Sequence, residues 1–122
     1  MHMQPKIVKA DAAKEFFTGE RCWILETWSS PDDRELSIAR ARVAPGVTTA
    51  WHSLESVAER YVIAQGTGRM EVGDLPPADV APGDTVFIPA GVRQRITNTG
   101  AADLVFYCIC TPRFTSACYR SL

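Results

Sequence analysis

Short stretches of β-branched and aromatic residues recur along the chain, and turn-forming residues separate them. Turns such as Pro45-Gly46 and Pro82-Gly83-Asp84 combine residues that favour tight reversals of the backbone. Short strands at regular spacing between such turns predict an all-β sandwich or barrel. The predicted strands are Cys22–Trp28, Leu36–Val43, Arg60–Gln65, Arg69–Val72, Thr85–Ile88, Gln94–Thr97 and Leu104–Cys110.

The two ends of the chain lack this pattern. Only Ala10–Phe17 has helical character, which predicts one short helical turn ahead of the barrel. The last residues carry Phe114 and Tyr119, and since a free tail rarely carries two aromatic residues, we expect this segment to pack across the barrel or a partner subunit. We therefore divide a single domain, residues 1–122, into an N-terminal arm (1–20), a barrel (21–111) and a C-terminal tail (112–122).

Length and composition narrow the class of protein. With 122 residues, 46% of them hydrophobic and 22% charged, the chain is typical of one soluble domain. A net charge of -1 provides no basic excess for a nucleic-acid backbone, so nucleic acid is not an expected partner. No apolar run has membrane-spanning length and residues 1–14 lack the apolar stretch of a signal peptide, which predicts a cytoplasmic protein without a membrane partner. His2, between Met1 and Met3, resembles the remnant of a cloning tag and enters no site.

The cysteines are interpreted as reduced thiols. Cys22, Cys108, Cys110 and Cys118 form no C-x-x-C pair, so the usual zinc and redox spacings are missing. Cys108 and Cys110 lie two apart in a predicted strand, where their Cα atoms are about 6.5 Å apart and their side chains run parallel, an arrangement at the outer limit for a disulfide.

From Gly46 onward, the spacing of glycine, histidine and glutamate resembles the first motif of the cupin family. That motif runs G, five residues, H-x-H, three or four residues, E, six residues, G. Here Gly46 is followed at the family spacing by His52, Glu59 and Gly66. Leu54 stands at the position of the second histidine.

A second cupin motif follows, which runs G, five residues, P-x-G, two residues, H, three residues, N. Gly83, the Pro89-Ala90-Gly91 turn and Asn98 are at the family spacing, and Gln94 replaces the histidine. The resemblance covers residues 46–98, with strand-like segments on both sides. It implies the cupin double-stranded β-helix, which is a jelly-roll barrel.

Strand geometry indicates which side chains would meet inside such a barrel. Residues two apart on a strand point to the same side of the sheet. If the barrel closes as the family's does, side chains from three strands converge on one cavity. The predicted pocket comprises His52 and Leu54, then Glu59 and Tyr61, and finally Gln94 with Ile96 and Asn98, which share its face.

The resemblance also implies a metal site, because typical cupins hold iron, manganese, nickel, copper or zinc with three histidines and one glutamate. At those positions this chain offers the imidazole of His52, the carboxylate of Glu59 and the amide oxygen of Gln94. The two-histidine, one-carboxylate triad of non-haem iron oxygenases cannot be assembled within one chain. Two interpretations stay open: a divalent ion of unspecified identity, or a hydrogen-bonded polar cluster without a metal.

Arg40 and Arg42 are two further residues that we predict to line the pocket. They alternate with Ala39, Ala41 and Val43, which places both guanidinium groups on one face of a strand. If that face lines the cavity, the two arginines would hold a carboxylate or a phosphate. If it faces water, they form a solvated edge.

Several functions are compatible with these residues. A cupin dioxygenase is disfavoured by the missing histidines. A non-redox enzyme, isomerase, epimerase or lyase-like, would act on a small polar metabolite, with His52 and Gln94 stabilising an oxyanion while Glu59 or Tyr61 moves a proton. The alternative is a non-catalytic sensor or binding module for a small molecule, which Leu54 favours because it gives the pocket an apolar wall.

A role through dimerisation alone is the third possibility. By analogy with small cupins we expect a homodimer. Trp23, Trp28 and Trp51 would give such an interface apolar surface to bury.

Overall fold

The computed structural model describes residues 3–122, so His2 lies outside the described part of the chain. Within that part the regular secondary structure is almost entirely strand, and its helices are two 3₁₀ turns, Ala12–Lys14 and Ser116–Cys118. No helix there is long and apolar enough to cross a membrane. The strands are β1 (Phe16–Phe17), β2 (Trp23–Trp28), β3 (Ser37–Val43), β4 (His52–Leu54), β5 (Ala58–Gln65), β6 (Gly68–Val72), β7 (Ala78–Val80), β8 (Thr85–Ile88), β9 (Gln94–Asn98), β10 (Leu104–Thr111) and β11 (Tyr119–Ser121).

These strands form two antiparallel sheets. One has the order β1-β2-β3-β10-β5-β8 and the other the order β11-β4-β9-β6-β7. Neighbours in a sheet are often distant in sequence: Leu104 of β10 pairs with Val43 of β3, and Val72 of β6 pairs with Gln94 of β9. This architecture confirms the predicted all-β jelly-roll barrel.

The alternation of apolar residues explains why the sheets pack face to face. Along β10 every second side chain is buried, beginning with Leu104, Phe106 and Cys108. Since successive side chains point to opposite faces of a strand, this pattern gives the sheet one apolar face. The apolar faces of both sheets form one core, which includes Val43, Ile63, Met70, Val72, Ile96, Leu104 and Phe106.

Gly66, a motif glycine, makes the turn between β5 and β6. Its φ is +81°, a conformation that side chains rarely adopt. A Cβ atom there would lie 2.7 Å from the backbone oxygen of Asp103. The motif therefore requires glycine here both for the turn and for the close approach of the chain before β10.

The two ends of the chain are more structured than the sequence pattern indicated. The predicted helical turn is present but is only three residues long, and β1 follows it and pairs with β2. In the tail, β11 pairs with β4, which places Ser121 opposite His52. The sequence did not predict β1 or β11, because strands of two or three residues are too short to show alternation. The tail packs across the barrel, which was one of its two predicted positions.

The three tryptophans predicted for a dimer interface are half-buried and contact other side chains of the chain, and Trp28 donates a hydrogen bond to Asp33 Oδ2 at 2.8 Å. Trp51 lies against the guanidinium groups of Arg93 and Arg95, 4.8 and 4.4 Å from the ring centroid. Trp23 lies against Phe17 and Arg42. The homodimer stays a prediction.

Candidate functional site

A cavity of about 240 Å³ lies between the two sheets. Most of its wall is apolar, and a smaller part consists of ionisable and hydroxyl side chains. The apolar part includes Phe16, Ile24, Ile38, Ala39, Ala41, Leu54, Phe106 and Phe114, and the polar part includes Thr18, Glu20, Glu26, Thr49, His52, Glu59 and Tyr61. Such a cavity has room for a small molecule with an apolar body and one polar end.

The structure brings four of the predicted site residues to the cavity wall: His52, Leu54, Glu59 and Tyr61. Gln94 lies behind this wall and is completely buried. The Tyr61 hydroxyl donates a hydrogen bond to the Gln94 Oε1 at 2.5 Å. Gln94 is therefore linked to the cavity through Tyr61.

The imidazole of His52 is held on several sides. Its Nδ1 lies 2.9 Å from the backbone oxygen of Ala50 and 3.2 Å from Oε2 of Glu20. Its ring stacks on Tyr119 of the tail, with centroids 5.1 Å apart. Because a carbonyl oxygen can only accept, these contacts assign the proton to Nδ1, and Nε2 of the neutral ring is then the hydrogen-bond acceptor.

The carboxyl group of Glu59 is buried with few partners. The Cys110 thiol donates a weak hydrogen bond to its Oε2 at 3.7 Å. Its Oε1, like Nε2 of Gln94, has no hydrogen-bond partner among the described residues. Burial raises the pKa of Glu59, while Gln94 and the charge of His52 act in the opposite direction. Glu59 therefore keeps its proton to a higher pH than an ordinary glutamate, and one of its oxygens is available to a bound molecule.

Glu20 joins the site from the N-terminal arm. Burial raises the pKa of its carboxyl group, the neighbouring His52 lowers it, and the nearby Glu59 raises it further. Burial also raises the pKa of the Tyr61 hydroxyl, which lies well above its ordinary value. The site thus contains two carboxyl groups that retain protons more readily than usual, one imidazole, and one phenol that stays protonated.

The cysteines near the cavity are inert thiols. All four are free and buried, which agrees with the interpretation as reduced residues. Cys22, Cys108 and Cys110 line the cavity, and burial raises the pKa of Cys22 to about 11. A thiol with such a pKa is a poor nucleophile near neutral pH.

The assignment of Arg40 and Arg42 to the cavity is wrong. Ala39 and Ala41 face the cavity, so the alternation of the strand turns both arginines to the opposite face of β3. There Arg42 binds Glu15 at 2.5 Å and Asp103 at 3.3 Å. The alternative, a solvated edge, describes both arginines correctly.

Ile96 and Asn98 were also assigned to the pocket, and neither lines the cavity. Both share the buried face of β9 with Gln94, but the strand rises about 3.3 Å per residue, so Asn98 lies about 13 Å further along. Ile96 packs in the core. Asn98 Nδ2 donates to the backbone oxygens of Val43 and Ala102, both at 2.8 Å, and its Oδ1 accepts from Gly100 N at 2.9 Å. These contacts give Asn98 a structural role.

The sequence interpretation missed Glu20, Phe106 and Tyr119. Glu20 lies outside both motifs, in a turn with no distinctive spacing, and no sequence signal pointed to it. Phe106 was within reach, since it alternates with Cys108 on a predicted strand. The two aromatic residues of the tail predicted that it packs against the barrel, but nothing in its sequence indicated a contact between Tyr119 and His52.

The donor set does not fit the metal site that the resemblance implied. Leu54 has no lone pair, and Gln94, whose amide oxygen accepts from Tyr61, does not line the cavity. Among residues 3–122, no three histidine, cysteine, aspartate or glutamate side chains are grouped as a metal ion requires. The contacts agree better with a polar cluster that is open to a bound molecule.

Comparison with protein families gives one match that covers more than half of the chain. The model described as "Cupin domain" matches residues 39–110. An uncharacterized protein of Methanocaldococcus jannaschii is 33% identical over 79 residues, which are 65% of this chain and 62% of that protein. The match therefore spans less than two thirds of the relative's length.

Solved structures share the fold over nearly the whole chain. A protein of Klebsiella pneumoniae with a double-stranded β-helix domain has a TM-score of 0.76 at 14% identity, covering 97% of both chains. A predicted oxalate decarboxylase of Thermotoga maritima has a TM-score of 0.78 at 21% identity, covering 88% of this chain and 99% of that one. The nucleoside dehydratase Pac13 of Streptomyces has a TM-score of 0.76 at 13% identity, covering 96% and 92%. Likeness at such identity shows the fold alone.

Proposed function

Since this chain belongs to the cupin domain family, we propose that it binds a small molecule between its sheets and catalyses a non-redox proton transfer on it. The reaction would be of the isomerase, epimerase or lyase type. One observation carries the proposal most strongly. An imidazole held by a carboxylate, His52 with Glu20, and a carboxyl group favoured in its protonated form, Glu59, line the same cavity.

His52 would act as the general base. With its Nδ1 hydrogen directed at Ala50 and Glu20, the neutral ring accepts a proton at Nε2. The carboxylate of Glu20 then stabilises the imidazolium ion that forms. Tyr119, stacked on the ring, limits its rotation. Glu20 and Tyr119 are in this proposal positioning residues.

Glu59 would act as the general acid. A carboxyl group whose pKa is raised by burial keeps its proton to a higher pH than an ordinary glutamate, which suits it to donate that proton to a bound molecule. In a lyase reaction, His52 removes a proton from carbon, the electron pair forms the double bond, and Glu59 protonates the departing hydroxyl oxygen, which leaves as water. In an isomerisation the proton returns to a different carbon instead.

Dehydration is one reaction of this class, and Pac13 is described as a nucleoside dehydratase. The low identity does not carry its substrate over to this chain. The walls of the cavity also modify the expectation of a small polar metabolite. Because most lining side chains are apolar, a molecule with an apolar body and one polar end fits the cavity better.

A non-catalytic binding module is the second candidate. Leu54 supports it, because an apolar group at that position favours retention of a ligand over chemistry at the polar end. Under this alternative, His52 and Glu59 would only provide hydrogen bonds to the ligand.

Turnover of bound molecules tests the proposal. A library of small hydroxy and carbonyl compounds is screened by thermal shift, and each stabilising compound is then followed by NMR for conversion, with and without a chelator. We expect His52→Gln and Glu59→Gln to reduce turnover by about 10²–10⁴-fold, which is the range of general acid–base catalysis. Arg42→Gln, on the outer face of β3, is the matched control and retains turnover. Ligands that bind without any conversion would establish the binding module instead.

A further inference from the structure

The ionisable groups that line the cavity are mostly acidic. Three carboxyl groups line it, those of Glu20, Glu26 and Glu59, and no lysine or arginine of the described chain does so. The imidazole of His52 is the one lining group, among the described residues, that is able to carry positive charge, and it already faces Glu20 at 3.2 Å. A negatively charged ligand would therefore find no cation of its own in this cavity.

The three carboxyl groups differ in burial. Glu26 is exposed, the side chain of Glu20 retains 23% of its exposure, and Glu59 retains 7%. Electrostatic interactions strengthen as water is excluded, so the part-buried carboxylate of Glu20 attracts a positive charge more strongly than the exposed carboxylate of Glu26. Such a gradient would draw a cation into the cavity and repel an anion.

The most buried carboxyl group also lacks a partner. Glu59 is more than nine-tenths buried, and its Oε1 has no hydrogen bond among the described residues. An unpaired buried acceptor costs free energy until something donates to it. As the carbonyl oxygen of the protonated acid, Oε1 would accept from an N–H group of a bound molecule, whereas a carboxylate or phosphate oxygen has no hydrogen to donate to it.

The apolar wall suits the carbon skeleton of such a ligand. Four aromatic rings line the cavity, those of Phe16, Tyr61, Phe106 and Phe114. The faces of aromatic rings attract organic cations, and their bulk accommodates an apolar carbon skeleton. Carboxylates together with aromatic rings are the combination that suits an alkyl or arylalkyl ammonium ion.

We propose that the ligand of this cavity is a small organic amine, bound as its ammonium ion between Glu20 and Glu59 with its apolar body against the aromatic wall. Metabolites that carry a carboxylate or a phosphate are excluded. The inference rests on the proposed function and specifies the ligand class of the same site. It would hold for an enzyme and for a binding module alike.

Three probes that share a body and differ in the charge of one end test this inference: 2-phenylethylamine, 2-phenylethanol and 3-phenylpropionate. Their affinities for the full chain are measured by isothermal titration calorimetry. We expect the amine to bind about tenfold more tightly than the alcohol, and the carboxylate to show no binding at millimolar concentration. Butylamine, butanol and butyrate repeat the comparison with a smaller body.

Variants that each remove one carboxyl group test which residues contribute to amine affinity. Glu20→Gln should weaken the amine about tenfold and leave the alcohol unchanged. Glu59→Gln, which retains an oxygen that can accept the N–H, should weaken the amine by a smaller factor. Glu15→Gln, which removes a carboxylate outside the cavity, should change neither affinity. If either cavity variant fails to fold, as judged by its thermal midpoint, Glu26→Gln at the exposed carboxylate replaces it and should weaken the amine by a smaller factor.

The outcomes separate this inference from the proposed function. Binding of a carboxylate or an alcohol as tightly as its amine overturns the ammonium class, and so does the absence of binding by both amines. Neither result affects the proton-transfer proposal, which is judged by turnover and by the His52 and Glu59 variants. If amines bind but no compound in the search is converted, amines included, the proposal of an enzyme is overturned and the proposed ligand class stands.

Discussion

Strand β9 carries a buried amide side chain at each end, and the two differ in how many of their hydrogen bonds are made. Asn98, at the end of β9 away from the cavity, which we call the closed end, makes three hydrogen bonds to backbone groups, two as donor and one as acceptor. Gln94, at the cavity end, accepts one hydrogen bond from Tyr61, and its Nε2 has no partner among the described residues. Both amides are almost completely buried.

The difference shows that burial of a polar residue does not by itself reveal its role. At the closed end, backbone groups replace the water that the amide has lost, so the polar group stabilises the fold. At the cavity end, Gln94 and Glu59 each retain an unpaired atom, which costs stability unless a ligand uses it. Hydrogen-bond completeness therefore separates a structural polar residue from a candidate functional one.

Removal of the closed-end amide should have the largest effect on stability. Asn98→Ala leaves the buried backbone oxygen of Val43 without its partner, and we expect a loss of about 2–3 kcal/mol in the free energy of unfolding. Urea denaturation measures it. Thr99→Ala, which changes an exposed side chain in the next turn, should cost less than about 0.5 kcal/mol. An equally small loss for Asn98→Ala would break the comparison.

Removal of the carboxyl group at the cavity end, that of Glu59, should instead raise the free energy of unfolding. Glu59→Gln deletes a buried acid that lacks a full set of partners, so we expect neutral-pH stability to rise by an amount on the order of 1 kcal/mol. Because the pKa of Glu59 is raised in the folded state, the protein loses stability as the pH rises above the unfolded value of about 4.3 toward the folded value. The gain in the variant should grow over that window, as measured by urea denaturation at several pH values.

Glu71 provides a control, because the pKa of its carboxyl group is lowered rather than raised. Its hydrogen bond from Arg95 lowers the pKa of its carboxyl group, so its contribution to stability is present above the unfolded pKa and is lost as the pH falls through the folded one. Glu71→Gln should therefore cost stability at neutral pH, and the difference from the wild type should shrink in acid. If both variants show the same pH dependence, burial is not what distinguishes Glu59.

The sequence supported the fold better than the site, and the reason is physical. Strand alternation and the turn glycines act locally, so β10 and the Gly66 turn were visible in the pattern. The site depends on contacts between distant segments. Nothing near Glu20 indicated that it would meet His52, 32 positions later, at 3.2 Å. The position of Asn98 in the closed half depended on how far along β9 the cavity extends, which spacing alone does not determine.

The faces of β3 provide the smallest and most discriminating test. Arg42 is about one-third exposed and binds Glu15 and Asp103, so its ion pairs are screened by solvent. Pairs of this kind contribute about 0–1 kcal/mol. We expect Arg42→Gln to destabilise the protein within that range and the loss to shrink in high salt, where surface charges interact less. Amine affinity should be unchanged, because Ala39 and Ala41, rather than the arginines, face the cavity. A large gain in amine affinity with stability intact would mean that the two faces of β3 are reversed, and that the cavity contains the cation which the ammonium proposal requires it to lack.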